Sequence, residues 1–355
     1  MVRGSAVILA GGTGGHVFPA LALAEALARQ GVAVDWVGTA QGIEARLVPA
    51  AGYPLHTLDA AGLRGVGFAR RMRAAWGLTR ALGQALRLLR RLRPGLAVGF
   101  GGYAAAPGGL AAKLLGIPLV IHEQNAVAGT TNRLLARFAR RVATAFPGVL
   151  PRGELVGNPV RPAIAALPPP EVRGVGSRRP LRLLVLGGSQ GAATLNRLLP
   201  EALALCRGVT FAVRHQCGVR HLEATRAAYR AAGVEAEVVP FVEEMAEALG
   251  WADLAVARAG ALTVAELAAA GLGALLVPFP AAIDDHQTAN ARWLVEAGAA
   301  RLLPERELTA AGLAAELGGL AAEPARLAAM AAAARARALS DAAERLAAIC
   351  LEEMR

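Results

Sequence analysis

The chain has 355 residues, 55% hydrophobic and 4% aromatic, with a formal net charge of +11. This length accommodates two domains, each with its own core, and the composition excludes a largely disordered chain. Three cysteines, Cys206, Cys217 and Cys350, form no CxxC pair, which argues against a disulfide framework and for a reducing compartment. The charge is unevenly spread: residues 1–157 carry 18 basic and 6 acidic side chains, residues 158–355 carry 20 and 21. No acid occurs between Asp59 and Glu123. An anionic partner is therefore expected at the first half alone.

Met1–Ser5 leads straight into a strand, Ala6–Ala10, with no cleavable signal region behind it. That strand meets the turn Gly11-Gly12-Thr13-Gly14-Gly15-His16 and then a helix expected from near Pro19. Further strands are predicted at Val32–Val37, Leu96–Phe100, Leu119–His122 and Arg141–Ala145, with helices from near Ile43, Ala69, Pro107 and Thr130. Eight of the twenty prolines fall between Pro147 and Pro180, a density that places the interdomain connection there. Leu183–Leu186 then repeats the opening pattern, running into Gly187-Gly188-Ser189-Gln190-Gly191-Ala192 and a helix. Strands at Thr210–His215, Ala236–Pro240, Leu254–Ala257 and Ala274–Val277 alternate with helices from Val219, Met245, Thr263 and Gln287, and an alanine-rich helical tail begins at Ala310. The uncharged windows Pro94–Ala112 and Leu267–Ile283 approach membrane-span length, yet their glycines and prolines rule out spanning helices. The expectation is a soluble, cytoplasmic α/β protein: two Rossmann-like, doubly wound parallel-sheet domains facing a central cleft.

Each glycine turn opens a helix whose free N–H groups suit a phosphate. The first departs from the dinucleotide fingerprint, since in GxGxxG register the third glycine is Val17, and a nicotinamide enzyme is the weaker reading. His16 sits at a helix start, where the dipole disfavours imidazolium; the ring is a candidate general base or a plain backbone cap. Ser189 offers a hydroxyl in the second turn. Thr263 and Glu266 fit a capping box, and a carboxylate at such a turn equally suits the two hydroxyls of a ribose. Gln287 and Asn290 carry amides that donate to and accept from sugar hydroxyls, or cap a helix start. His215, Cys217 and His221 match no zinc spacing and lack a fourth ligand. Arg70–Arg93 reads as a basic amphipathic helix, with Trp76 among its apolar residues, suited to an anionic lipid surface or to a solvated face. The low aromatic content and the absence of a recognised motif argue against nucleic acid.

Seven runs stand in order: GGTGGH (11–16), GGYAAAPGGLAA (101–112), HEQNAVAGTTNR (122–133), GNPVR (157–161), GGSQGA (187–192), GALTVAELAAAG (260–271) and HQTANA (286–291). Together they resemble the MurG family of glycosyltransferase family 28, which moves N-acetylglucosamine from UDP-GlcNAc onto lipid I. The resemblance implies a GT-B fold, with residues 1–157 for acceptor and membrane and 158–340 for the donor. It leaves 341–355 as a helix packing back on the first domain. It implies sugar-nucleotide contacts from Thr13, Gly14, Gly15, Asn125, Arg161, Ser189 and Val242, the last standing where other members often have isoleucine. It adds the run Ala261, Leu262, Thr263, Val264, Ala265 and Glu266, with Glu266 at the ribose, and Gln287 with Asn290 at the sugar hydroxyls. His16 is the candidate base; His122 and Glu123 are competitors or acceptor-binding groups. The implied reaction is inverting, with no cofactor and no obligatory metal. The partners are UDP-GlcNAc, lipid I (undecaprenyl-pyrophosphoryl-muramyl peptide) and the anionic cytoplasmic face of the inner membrane, met peripherally through Arg70, Arg71, Arg73, Trp76 and Arg80. The rival readings are a glycolipid transferase with another acceptor, a sugar-nucleotide epimerase and a non-catalytic membrane-binding protein.

Overall fold

The computed structural model describes residues 4–59, 68–188 and 191–354, the backbone alone at 68–75 and at Ile283. The chain divides into two compact units, Met1–Arg161 with Ser340–Arg355, and Pro162–Leu339.

In the first unit the elements run β1 (Ser5–Ala10), α1 (Gly14–Arg29), β2 (Ala33–Gly38), α2 (Glu44–Ala50), β3 (Leu55–Thr57) and α3 (Phe68–Leu92). They continue with β4 (Leu96–Gly101), α4 (Ala105–Leu114), β5 (Leu119–Glu123), α5 (Thr130–Leu135), β6 (Arg141–Thr144) and β7 (Gly153–Leu155). All seven strands pair in parallel, in the order β3-β2-β1-β4-β5-β6-β7. Strand alternation sorts β1 between two cores: Ala6, Ile8 and Ala10 on one face, Val7 and Leu9 on the other. Helices cover both faces, so the central strands β1 (from Ala6) and β4 are apolar throughout rather than alternating.

The second unit contains α6 (Pro162–Ala165), α7 (Pro170–Arg173), β8 (Leu181–Leu186), α8 (Ala193–Leu205), β9 (Phe211–Gln216), α9 (Leu222–Ala231), β10 (Glu237–Val239) and α10 (Met245–Trp251). It continues with β11 (Leu254–Ala257), α11 (Ala261–Ala270), β12 (Ala274–Leu276), α12 (His286–Val295), β13 (Ala300–Leu302), α13 (Ala310–Ala322) and α14 (Pro324–Ala336). Its parallel sheet has the order β10-β9-β8-β11-β12-β13. The last helix, α15 (Ala342–Glu353), belongs to the first unit, where Leu346, Ala347 and Cys350 join the core containing Ile8 and α1. Arg141 fixes that helix from β6 by pairing with Glu352 at 2.9 Å.

In both sheets the strand order reverses beside the first strand, between β1 and β4 and between β8 and β11. Ligands of open α/β sheets bind at such points, beyond the strands' carboxyl ends. Both glycine turns lie there.

Several local expectations need correction. Helix α1 starts at Gly14, so Pro19 lies inside it and His16 is its third residue. The proline removes one backbone bond near the start of the helix and leaves the rest of the turn intact. Thr263 and Glu266 form no capping box, because α11 is capped by the backbone of Gly260 and no side chain bonds there. The edge strands β3, β7 and β13 have three residues each, too few for a pattern of alternation to show.

Arg173, at the end of α7, ties the proline-rich segment to the second unit. Its guanidinium is largely buried and donates to the carbonyls of Pro168, Leu249, Gly250, Ala270 and Gly271, crossing the C-terminal ends of α10 and α11. Burial lowers its pKa, yet a cation at two helix C-termini meets their negative ends. Arg173→Met leaves those buried carbonyls without a donor, and should lower the stability of this unit by about 3 kcal/mol in urea unfolding. An unchanged midpoint would show that the carbonyls find other partners.

Candidate active site

In the first unit the chain leaves β1 at Ala10 and turns into α1. Behind that turn lies a residue that sequence reasoning missed. Glu44, the first residue of α2, is wholly buried; Oε2 accepts from the Gly12 N–H at 2.9 Å. Oε1 accepts from the Thr39 N–H at 2.9 Å and from its hydroxyl at 2.7 Å. A Cβ on Gly11 or Gly42 would collide with this carboxylate, so both positions require glycine. The one signal in the sequence was that Glu44 is among only six acids in residues 1–157. Thr13 caps α1 through its carbonyl, which accepts from the N–H groups of His16 at 3.1 Å and Val17 at 3.2 Å. Its hydroxyl takes no part in the cap. Gly14 and Gly15 are half-buried beside it.

His16 faces the end of β4. A Cβ placed on Gly101, whose φ is +91°, would lie 3.4 Å from His16 Nε2 and 3.6 Å from Asn132 Nδ2. Glycine at 101 suits the positive φ and brings the end of β4 against the imidazole and the amide. Asn132, on α5, donates to Glu123 Oε2 at 2.9 Å and to the His122 carbonyl at 3.0 Å. Glu123 also accepts from the N–H groups of Asn125 at 2.9 Å and Gly129 at 3.0 Å, and from the Asn125 amide at 3.3 Å. Arg161, at the end of the GNPVR run, stacks its guanidinium 4.8 Å above the ring of Phe18 on α1.

His122 and Glu123 depart from the expectation that either competes as base or meets the acceptor. Both are buried at the end of β5, inside the sheet. Glu123 holds the Asn125–Gly129 turn through the bonds just described. His122 Nε2 donates to the Gly157 carbonyl at 2.8 Å, and Nδ1 accepts from the Gln124 amide at 3.0 Å. That pattern fixes a neutral tautomer, and burial lowers the pKa to about 4.

In the second unit, three N–H groups of the glycine turn are engaged internally. Gly187 donates to the Gln216 carbonyl, Gly188 to Gln216 Oε1 and Gly191 to the Gly188 carbonyl, each at 3.0 Å. The glycines there shape the turn rather than donate outward. Ser189 lies outside the described residues. At the end of β11, Arg258 donates to the carbonyls of Val277 at 3.2 Å and Pro278 at 3.1 Å and pairs with Glu305. In α11, Ala261, Leu262, Val264 and Glu266 are buried, while Thr263 and Ala265 are half-exposed. The first-turn N–H groups of α11 have no intrahelical acceptor. Val242, just past β10, is half-buried. Gln287 Oε1 accepts from the Phe279 N–H at 2.9 Å, which steadies the Pro278–Pro280 turn. Asn290 departs from its expected place at a sugar hydroxyl: it is fully buried and its amide donates to the Ala259 carbonyl at 3.2 Å. It ties α12 to the turn before α11. The cluster of His215 and Cys217 is likewise internal, with the His215 ring bonded to Tyr229 and Asn196 at 2.9 Å each.

The buried His122 carries a pH prediction. Its folded pKa lies below the ordinary 6.5, so the unfolded chain takes up the proton first as pH falls. Its stabilising contribution is complete above pH 6.5 and is lost progressively towards pH 4. Urea unfolding across that range should show a flatter pH dependence in His122→Gln, by about 1 kcal/mol per pH unit. Parallel curves for the two proteins would contradict a neutral buried His122.

Comparisons with known proteins agree with this architecture. Residues 6–144 match the glycosyltransferase family 28 N-terminal domain and residues 182–346 its C-terminal domain. A UDP-N-acetylglucosamine–N-acetylmuramyl-(pentapeptide) pyrophosphoryl-undecaprenol N-acetylglucosamine transferase of Alkalilimnicola ehrlichii is 59% identical over 352 residues, covering 98% of this chain and 99% of the relative. The transferase of the same name from Pseudomonas paraeruginosa is 52% identical and covers 100% of both chains. Among solved structures, Acinetobacter baumannii MurG superposes with a TM-score of 0.85 at 42% identity, covering 98% of this chain and 99% of that one. A glycosyltransferase of kitacinnamycin shares the fold alone, with a TM-score of 0.69 at 19% identity. With both of its domains matched and relatives this similar along its length, the chain belongs to glycosyltransferase family 28.

Proposed function

We propose that this chain transfers N-acetylglucosamine from UDP-GlcNAc to the muramyl 4-hydroxyl of lipid I, forming lipid II for peptidoglycan synthesis. The observation that carries the reading is the placement of the His16 ring beside Gly101 and Asn132 at the strand-order reversal of the first sheet. The muramyl O4 attacks the anomeric carbon while the bond from that carbon to the diphosphate oxygen breaks. The O4 proton passes to His16, and the configuration inverts to a β-1,4 linkage. Glu123 is proposed to act by holding the Asn125–Gly129 turn, and His122 by tying the end of β5 to Gly157 and Gln124.

The leaving UDP gains negative charge in the transition state. The turn at Gly187–Ala192, with Ser189, and the first turn of α11 at Ala261, Leu262 and Thr263 are proposed to stabilise it. Val264 and Ala265 continue that helix to Glu266, the proposed ribose acceptor; the Val242 backbone meets uracil, and Gln287 the sugar hydroxyls. Asn290 serves as a brace. From the first unit, Thr13, Gly14, Gly15, Asn125 and Arg161 are proposed as further donor contacts.

Helix α3 supplies the proposed membrane contact. Ala81, Ala85 and Leu89 face inward at a four-residue spacing, while Trp76 is 73% exposed and Arg80, Arg87, Arg90 and Arg91 point outward. Arg70, Arg71 and Arg73 lie on the same helix, with side chains outside the described ones. Leu114, at the end of the neighbouring α4, is 66% exposed. Each basic residue at an anionic bilayer contributes about 1 kcal/mol. No helix among the described residues is long and apolar enough to cross a membrane. We infer a peripheral enzyme at the cytoplasmic face of the inner membrane.

Incubation with radiolabelled UDP-GlcNAc and a lipid I analogue tests the reading. Labelled disaccharide-lipid supports it; epimerised sugar nucleotide, or no turnover, overturns it. His16→Ala should reduce kcat by about 10²–10⁴ with donor KM little changed, and an unchanged kcat removes the base role. Reversing Arg70, Arg71, Arg73 and Arg80 to glutamate should abolish sedimentation with phosphatidylglycerol vesicles. Retained binding would move the contact elsewhere.

A further inference from the structure

Gln216 ends β9, the strand lying between β8 and β10. Its neighbours on either side therefore feed the two segments assigned above to different parts of UDP: the glycine turn after β8 and the Pro240–Val242 segment after β10. The side chain is buried and reaches both. Oε1 accepts from the Gly188 N–H at 3.0 Å, and Nε2 donates to the Gly188 carbonyl at 3.0 Å and to the Pro240 carbonyl at 3.2 Å. Main-chain bonds reinforce the link: Gly187 donates to the Gln216 carbonyl, and Cys217 to the Val239 carbonyl, both at 3.0 Å. The amide has one workable orientation. Exchanging its O and N would set N–H against N–H and oxygen against two carbonyls.

Both polar groups of Gly188 are thereby clamped by one side chain, in a residue whose φ of +80° favours glycine. The turn cannot shift relative to Pro240 without breaking a buried bond, and an unmet buried polar group is costly.

We infer that Gln216 is a positioning residue that fixes the distance between the diphosphate-binding turn and the uracil-binding segment. This rests on the proposed donor site. A ligand that occupies both segments depends on that distance; a ligand that occupies one does not. Gln216 therefore favours nucleoside diphosphates over the bare nucleoside without touching either.

Calorimetric titration of the full chain with UDP and with uridine tests this. Two variants are used: Gln216→Ala, and Gln216→Met, which keeps the volume and removes all three side-chain bonds. Both should weaken UDP about 10-fold and raise donor KM in proportion, with uridine affinity and kcat changed less than about 2-fold. Equal weakening of UDP and uridine would mark a general structural role and overturn the inference, as would UDP binding unchanged in both variants. Loss of fold in both would make Gln216 a folding residue and overturn it too. A wild-type chain that fails to bind UDP would instead overturn the donor-site reading itself.

Discussion

A buried polar side chain sits behind each of the two glycine turns and holds its backbone. In the first unit it is the Glu44 carboxylate on the Gly12 N–H; in the second it is the Gln216 amide on both polar groups of Gly188. Each comes from the end of the second strand of its sheet or from the helix just after it. The constraint is steric as well as polar. A carboxylate can lie against the main chain only where Gly11 and Gly42 lack a Cβ. At Gly11 the glycine that looks like part of a phosphate cradle in sequence is room for the protein's own brace.

Most of the fold is legible in the sequence for a physical reason. Central strands of a doubly wound sheet are covered on both faces, so Ala6–Ala10 and Leu183–Leu186 read as unbroken apolar runs ending in glycine. The three-residue edge strands β3, β7 and β13 escape notice, while β10, equally short and also at an edge, is expected as Ala236–Pro240. Helix starts at Thr130 and Met245 are legible without any side-chain cap. Gly260 caps α11 with backbone alone, which is why Thr263 and Glu266 mislead.

The site is legible as chemistry but not as exposure. His122 and Glu123 are residue types that catalyse, and a sequence cannot show that β5 lies inside the sheet, where their polar atoms bond Gly157, Gln124, Asn125, Gly129 and Asn132. Asn290 misleads for the same reason. His16 stays a proposal: its ring lies beside Gly101 and Asn132 at the end of β4. Glu44 and Gln216 escape attention because an isolated Glu or Gln has no motif; only a partner distant in sequence, such as Gly12 at 32 positions from Glu44, reveals the role.

In the proposed arrangement an arginine-rich helix meets the membrane, the reversal point of the first sheet meets the acceptor, and that of the second chiefly holds the donor, with further donor contacts from the first unit. The assignment of donor to the second unit is the claim on which the mechanism rests, and a crystal structure with UDP bound tests it most directly. The diphosphate should lie against the Gly187–Ala192 turn and the start of α11, with the ribose at Glu266. UDP held at Gly11–His16 alone, with the second turn vacant, would contradict it.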